Sequence, residues 1–291
     1  MAKQDIYQIV TNTIIAAIEN GQTGDKFVLP WNSFSVLPQN AKTQKQYRGV
    51  NVPLLWAWQI ERKYQSGVWA TYRQWQDMGA QVKKGEKGVQ IVFWKSFTAE
   101  PCADNQEDET RMFARWSTVF NADQVDNFNL EKLDSEACEI QSIGMADALI
   151  DSTDADIRHN EMRAYYNVGQ DYINLPSPEE FKGTKTSTAT ENYYSTLFHE
   201  LTHWSGAKHR LDRPAHKRYG DTSYAFEELV AELGAAMCCA STGVESSVRA
   251  DHAQYIDCWL KALKSEKRFI FSASSQAQKA VDYLHSFIKE D

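Results

Sequence analysis

The sequence predicts an α+β protein of two domains, a mixed α/β N-terminal part followed by a mainly helical C-terminal part. Length, charge and patterning each point to it. At 291 residues the chain is long enough for two hydrophobic cores. Residues 1–98 carry 12 Lys/Arg against 6 Asp/Glu and the remainder 19 against 33, so a basic part of net +6 precedes an acidic one of −14. Tryptophans follow the same division, six of the nine falling in the first 98 residues. The polar, acidic stretch Asn121 to Ile140 contains the boundary, which gives domains 1–125 and 126–291.

Ile6, Val10, Ile14 and Ile18 follow helical spacing, so the chain opens on an amphipathic helix. An irregular stretch from Gly24 to Gly49 follows, punctuated by Pro30 and Pro38. Asn51 to Tyr64 is predicted as a buried helix, and Trp69 to Met78 as a second, stopped at Gly79. Val82-Lys-Lys-Gly-Glu-Lys-Gly88 is a tight basic turn that feeds an apolar strand, Val89 to Lys95. The acidic loop Glu100 to Thr110 then leads to a second strand, Arg111 to Phe120, and the two form a hairpin with a long tip. In the second half a helix near Met145–Asp151 precedes a hairpin of Arg163–Val168 and Asp171–Leu175, turning at Gly169-Gln170. Helices through His199 and Glu228, and two more over roughly 247–265 and 275–289, complete the reading.

Composition narrows the class. A hydrophobic content of 42% and an aromatic content of 12% fit a globular protein rather than a disordered one. No apolar run approaches a membrane span, and the N-terminus has no signal-peptide pattern. Five cysteines, at 102, 138, 238, 239 and 258, form no CxxC pair and leave an odd count. Reduced thiols in a cytoplasmic protein are therefore expected, not a disulfide framework or a Cys-ligated metal.

Residues 199–203 read His-Glu-Leu-Thr-His. On a helix His199 and His203 lie one turn apart on one face, a spacing at which two imidazoles can hold one Zn²⁺, while Glu200 serves as general base toward water. Another divalent ion such as Mn²⁺ is the alternative cofactor. Thr188 and Glu191 fit a capping box, and Tyr194, Leu197, Phe198 and Leu201 supply the buried face of that helix. A catalytic zinc site needs a third protein ligand. Ala225 to Met237 is strongly helical, with Glu228 and Glu232 one turn apart. We read Glu228 as the third ligand and Glu232 as a carboxylate that orients a ligating imidazole. The reverse assignment is the alternative and Glu227 a weaker third choice. Tyr224 and His209 are candidate donors to a developing oxyanion. The basic segment Lys208–Arg213 reads as a solvated connector, with contact to DNA or substrate as the alternative.

The basic half also holds six of the nine tryptophans: Trp31, Trp56, Trp58, Trp69, Trp75 and Trp94. Single-stranded nucleic acid is held by a basic groove along the phosphates and by rings on which bases stack. Lys83, Lys84 and Lys87 on one turn, Tyr47 and Arg48 in a loop, Arg73 and Trp75 on a helix, Trp94 on a strand and Arg115, with Arg111, on the hairpin provide both ingredients. Any single tryptophan is nonetheless expected to be buried. No helix-turn-helix or zinc-finger pattern occurs, so reading of duplex sequence is not expected.

Taken together, Leu-Pro-Trp31, Tyr47-Arg-Gly-Val-Asn51, Trp69-Ala-Thr-Tyr-Arg-Gln-Trp75, the basic turn, Phe120-Asn-Ala-Asp-Gln124, Asp171-Tyr-Ile-Asn-Leu-Pro176, His199 to Gly206, Arg210-Leu-Asp-Arg213 and Tyr224 to Glu232 resemble the ArdC-type antirestriction proteins of conjugative plasmids over nearly the whole chain. The resemblance implies an N-terminal single-stranded-DNA-binding domain, also used in plasmid primases, and a C-terminal zincin-like metallopeptidase domain. It further implies protection of incoming plasmid DNA from host restriction during conjugation. Two other functions are open: a zinc peptidase recruited to DNA to cleave a restriction component or another DNA-bound protein, and a binding module whose metal site is degenerate. The intact His199, Glu200 and His203 set argues against the last.

Overall fold

The computed structural model describes residues 5–23, 26–27, 29, 31, 36–98, 110–128, 139–184, 187–213, 222–245 and 253–288. Helix α1 (Ile6–Gly21) buries Val10, Ile14, Ile15 and Ile18, the stripe its spacing predicts. A minimal ribbon, β1 (Gln22–Thr23) with β2 (Lys26–Phe27), precedes β3 (Gln39–Asn40) and the buried helix α2 (Asn51–Arg62). β4 (Val68–Thr71) and α3 (Tyr72–Asp77) follow, then β5 (Gln81–Val82), β6 (Val89–Thr98), β7 (Thr110–Asn121) and β8 (Val125–Asp126).

The predicted helix from Trp69 to Met78 is thus divided. Trp69 and Ala70 are extended and pair with Asn121 and Phe120 of β7. Thr71 then caps α3, its hydroxyl accepting from the Gln74 amide while the Gln74 side chain accepts from Thr71. That capping box fixes the start of the helix three residues later than hydrophobic spacing suggests. The N-terminal sheet runs β3-β4-β7-β6, and its long antiparallel pair, β6 with β7, forms the expected hairpin. The acidic loop at its tip lies outside the described residues, apart from Thr110.

The second half begins with α4 (Glu139–Ser152) and a small sheet of β9 (Asp156–Arg158), β10 (Tyr165–Asn167) and β11 (Tyr172–Asn174) in the order β10-β11-β9. Asn167 caps the hairpin turn by accepting from the amides of Gly169 and Gln170. Helices α5 (Ala189–Ser205), α6 (Thr222–Thr242), α7 (Ala253–Ser265) and α8 (Phe269–His285) then pack on one another. The last begins earlier than predicted because Phe269, Ile270 and Phe271 are themselves buried. No helix among the described residues is long and apolar enough to cross a membrane.

One core reaches into both halves. Val10, Ile14, Trp31, Trp56 and Val92 cluster with Leu229, Trp259, Ile270 and Leu284. The Trp31 and Trp259 rings lie 6.4 Å apart, centroid to centroid. Polar contacts follow the same seam: the Thr11 hydroxyl donates to the Lys267 carbonyl at 2.8 Å, and the Gly49 amide to Gln278 at 3.0 Å. Smaller clusters around Trp75 and around Trp69 with Ile91 belong to the N-terminal half alone.

Candidate metal centre

Helix α5 starts with the predicted capping box. The Glu191 amide donates to the Thr188 hydroxyl at 3.2 Å, and the Thr188 amide to the Glu191 carboxylate at 2.6 Å. Its Leu197, Phe198, Leu201 and Trp204 enter the core, which turns His199 and His203 toward α6. The two helices meet closely because position 234 is glycine: a Cβ there would lie 2.6 Å from the Thr202 side chain.

This approach brings His199, His203 and Glu228 together. The two Nε2 atoms are 3.1 Å apart, and Glu228 oxygens lie 3.6 Å from each of them. Two ligands about 2.0–2.1 Å from one tetrahedral ion stand roughly 3.4 Å from each other, so these separations fit a single divalent ion. One ligand atom from each of the three residues lies within 4.8 Å of the others, and no second such group occurs among the described residues. Glu200 is buried beside them, 4% exposed. A divalent ion held by this set would supply Lewis acidity, and Glu200 is the carboxylate available to take a proton from water.

Carboxylates also stand behind both imidazoles. Glu232 Oε2 is 3.7 Å from His199 Nδ1, the side on which an orienting group is expected. Behind His203 the orienting group is Glu227, whose Oε1 is 3.2 Å from Nδ1. Glu227 is therefore engaged on the far side of the ring and does not join the ligand cluster. Burial alone would raise its pKa; hydrogen bonds with His203 and Arg213 outweigh that and bring it down to about 2. Glu228 behaves alike, with burial opposed first by a hydrogen bond with His199 and then by electrostatic interaction with His203, again to about 2. Tyr224 shares a hydrogen bond with Glu228 and contacts the Tyr255 hydroxyl at 3.1 Å; burial raises its pKa.

The segment after α5 is not the solvated connector that its charge suggests. The Arg213 side chain is 2% exposed and forks onto Glu227. Arg210 bonds both oxygens of Asp171 at 2.8 Å and lies 3.6 Å over the Trp204 ring. His209 is mostly exposed and directs Nε2 to Asp171 at 3.2 Å. Asp171, at φ 55°, also accepts from the Tyr166 hydroxyl, so the hairpin turn is tied to the end of the metal helix. Among the described residues strand β10 is paired on one side only, and it packs on α5.

The candidate DNA residues separate by burial. Trp75 is fully buried, its Nε1 donating to the Phe120 carbonyl at 3.0 Å. Tyr47 is 8% exposed, with its hydroxyl bonded to Asn40 and to the Trp69 carbonyl. Both belong to the core, as do Trp31, Trp56 and Trp69. Arg48 is exposed and ion-paired with Asp282 of α8. Arg73, Lys83, Lys84, Lys87 and Arg115 are exposed, Lys83 donating to the Asp123 carbonyl at 2.9 Å. Trp94 takes its place in β6 opposite Ala114. Sequence reasoning missed Tyr72, which is 43% exposed and lines an open groove of about 480 Å³ with Phe120, Lys83 and Lys84 and with the carboxylates Glu86 and Asp126. No sequence signal marked it, because Tyr72 stands three residues before the buried Trp75, a spacing that places both on one helix face.

Comparison with known proteins covers both halves. A family model described as the N-terminal domain of anti-restriction factor ArdC matches residues 4–120, and one described as a zincin-like metallopeptidase matches 144–276. The chain is 43% identical over 292 residues to the uncharacterized protein y4eC of Sinorhizobium fredii (strain NBRC 101917 / NGR234), covering 97% of this chain and 92% of that one. It is 31% identical to two DNA primase TraC proteins of Escherichia coli over 98% of its own length, but spans only 27% and 20% of theirs. Among solved structures it is similar to the antirestriction protein ArdC from plasmid R388. The metal-free form matches with a TM-score of 0.78 at 41% identity, and the Mn(II)-bound form with 0.77 at 40%, each covering 98% of both chains.

Proposed function

Because the chain belongs to the ArdC antirestriction family, we propose that it binds single-stranded DNA through its basic half and protects incoming plasmid DNA from restriction during conjugation. In this reading it acts in the recipient cytoplasm. His199, His203 and Glu228 hold a divalent ion, Zn²⁺ in the first instance and Mn²⁺ as the alternative. The observation that carries the metal part is the convergence of these three residues beside a buried Glu200. The DNA part is supported by the exposed cations Arg73, Lys83, Lys84, Lys87 and Arg115, and by the groove in which Tyr72 offers a ring for stacking. Tyr47 and Trp75 contribute by shaping that half, since neither ring is open to a base.

A second reading, a zinc-dependent protease recruited to DNA, is favoured by one feature. Among the described residues strand β10 is paired on one side only and packs on helix α5, where an extended peptide could add as a further strand. The substrate would then be a DNA-bound protein or a restriction component. Glu200→Gln separates the two. The variant is expected to keep its metal, its affinity for single-stranded oligonucleotides and its protection of transferred DNA, and to lose any peptide cleavage. Loss of protection by a folded variant with unchanged DNA affinity would remove the coating mechanism and leave the protease.

A further inference from the structure

We propose that Arg213 is a positioning residue of the metal centre. It holds Glu227 so that this carboxylate fixes the His203 ring with its Nε2 lone pair facing the site before an ion arrives. The inference rests on His199, His203 and Glu228 being the ligands, and concerns a residue that belongs to neither metal-site helix.

Three observations converge. The guanidinium uses all its donor nitrogens inward: Nε reaches Glu227 Oε2 at 3.1 Å, Nη2 reaches Oε1 at 2.8 Å, Nη1 reaches the Ser205 hydroxyl at 2.8 Å, and Nη2 also bonds the Thr202 carbonyl. No other lysine or arginine among the described residues is buried. A planar fork onto one carboxylate fixes orientation as well as charge, which an ammonium cannot do. The carboxylate so held is the one 3.2 Å from His203 Nδ1. An anionic acceptor there places the ring proton on Nδ1 and leaves Nε2 as the ligand atom. Finally, the fold keeps a passage for the guanidinium: a Cβ at Gly206 would stand 2.6–2.9 Å from its atoms. His199, with Glu232 at 3.7 Å, has a looser support.

The test uses the full chain, stripped of metal and titrated separately with Zn²⁺ and with Mn²⁺ against a chromophoric chelator. Histidine ¹⁵N spectra of the metal-free protein report the His203 tautomer. Arg213→Met is expected to weaken metal binding by about 10- to 100-fold, and to turn His203 from the Nδ1–H form into a mixture. Arg213→Lys should fall between. In a Glu227→Gln background, Arg213→Met should add little further loss, because the arginine acts through that carboxylate. A folded Arg213→Met protein with the affinity and tautomer of the unsubstituted chain overturns the proposal, as do losses that multiply in the double variant. If Arg213→Met does not fold, Arg213→Lys and Glu227→Gln carry the same two readouts, and unchanged values in both overturn it. Failure of the unsubstituted chain to bind either ion removes the ligand assignment itself, a different result from failure of the positioning role alone.

Discussion

The metal centre and the basic face of the N-terminal half treat charge in opposite ways. Glu200, Glu227, Glu228 and Glu232 are all buried at the centre, with Arg213 among them and two imidazoles between. Each group there is held by another, so removing one leaves its partner stranded in a medium that solvates charge poorly. In the N-terminal half Lys84, Lys87, Arg73 and Arg115 are exposed to solvent, which screens their charges. A preorganised centre should therefore respond to single substitutions sharply and without salt dependence. A solvated face should respond gradually and in proportion to ionic strength.

The sharpest way to break that contrast is His203→Ala. The purified, folded variant is expected to lose its bound divalent ion; metal analysis that finds the same content as in the unsubstituted chain would refute the ligand assignment. Next in size is the difference between two aromatic residues three positions apart. Trp75→Ala should cost about 3–5 kcal/mol of stability by emptying the core, seen as a lower thermal midpoint, and should weaken DNA binding only as far as it unfolds the domain. Tyr72→Ala should leave the midpoint nearly unchanged and lower affinity for single-stranded oligonucleotides by about 1–3 kcal/mol, the value of one stacked base. The opposite pattern would mean that the groove is not the binding surface. The smallest effect is expected from Lys84→Ala with Lys87→Ala. If both contact phosphates, the slope of log affinity against log salt should shrink by about 1.4, with metal content untouched; an unchanged slope would remove the basic turn from the DNA face.

The same contrast explains what could be read in advance. That His199 and His203 would meet on one side of a helix was legible because an α-helix converts a spacing of four into a shared face, and because Thr188 and Glu191 mark where that helix starts. The role of Glu227 was not legible. It neighbours Glu228 in sequence, and only the arrival of Arg213 from a loop decides that it faces His203 from behind. Loops have no periodicity to carry such information, so Arg210 and Arg213 looked like solvated charges. The strand at Trp69 was missed because its pairing partner, Asn121, lies some fifty residues away along the chain. Burial of Trp75 and exposure of Tyr72 depend on the same sheet, since β7 and not α3 determines which side of that short helix is covered.

The seam between Trp31 and Trp259 bears on where such a chain can be cut. Its N-terminal helix and two of its buried tryptophans are packed into the same apolar cluster as α6, α7 and α8. A fragment ending near residue 125 would expose that surface to water, and the remaining fragment would lose part of its own interior. The TraC matches take in 98% of this chain, so they span both sides of that seam.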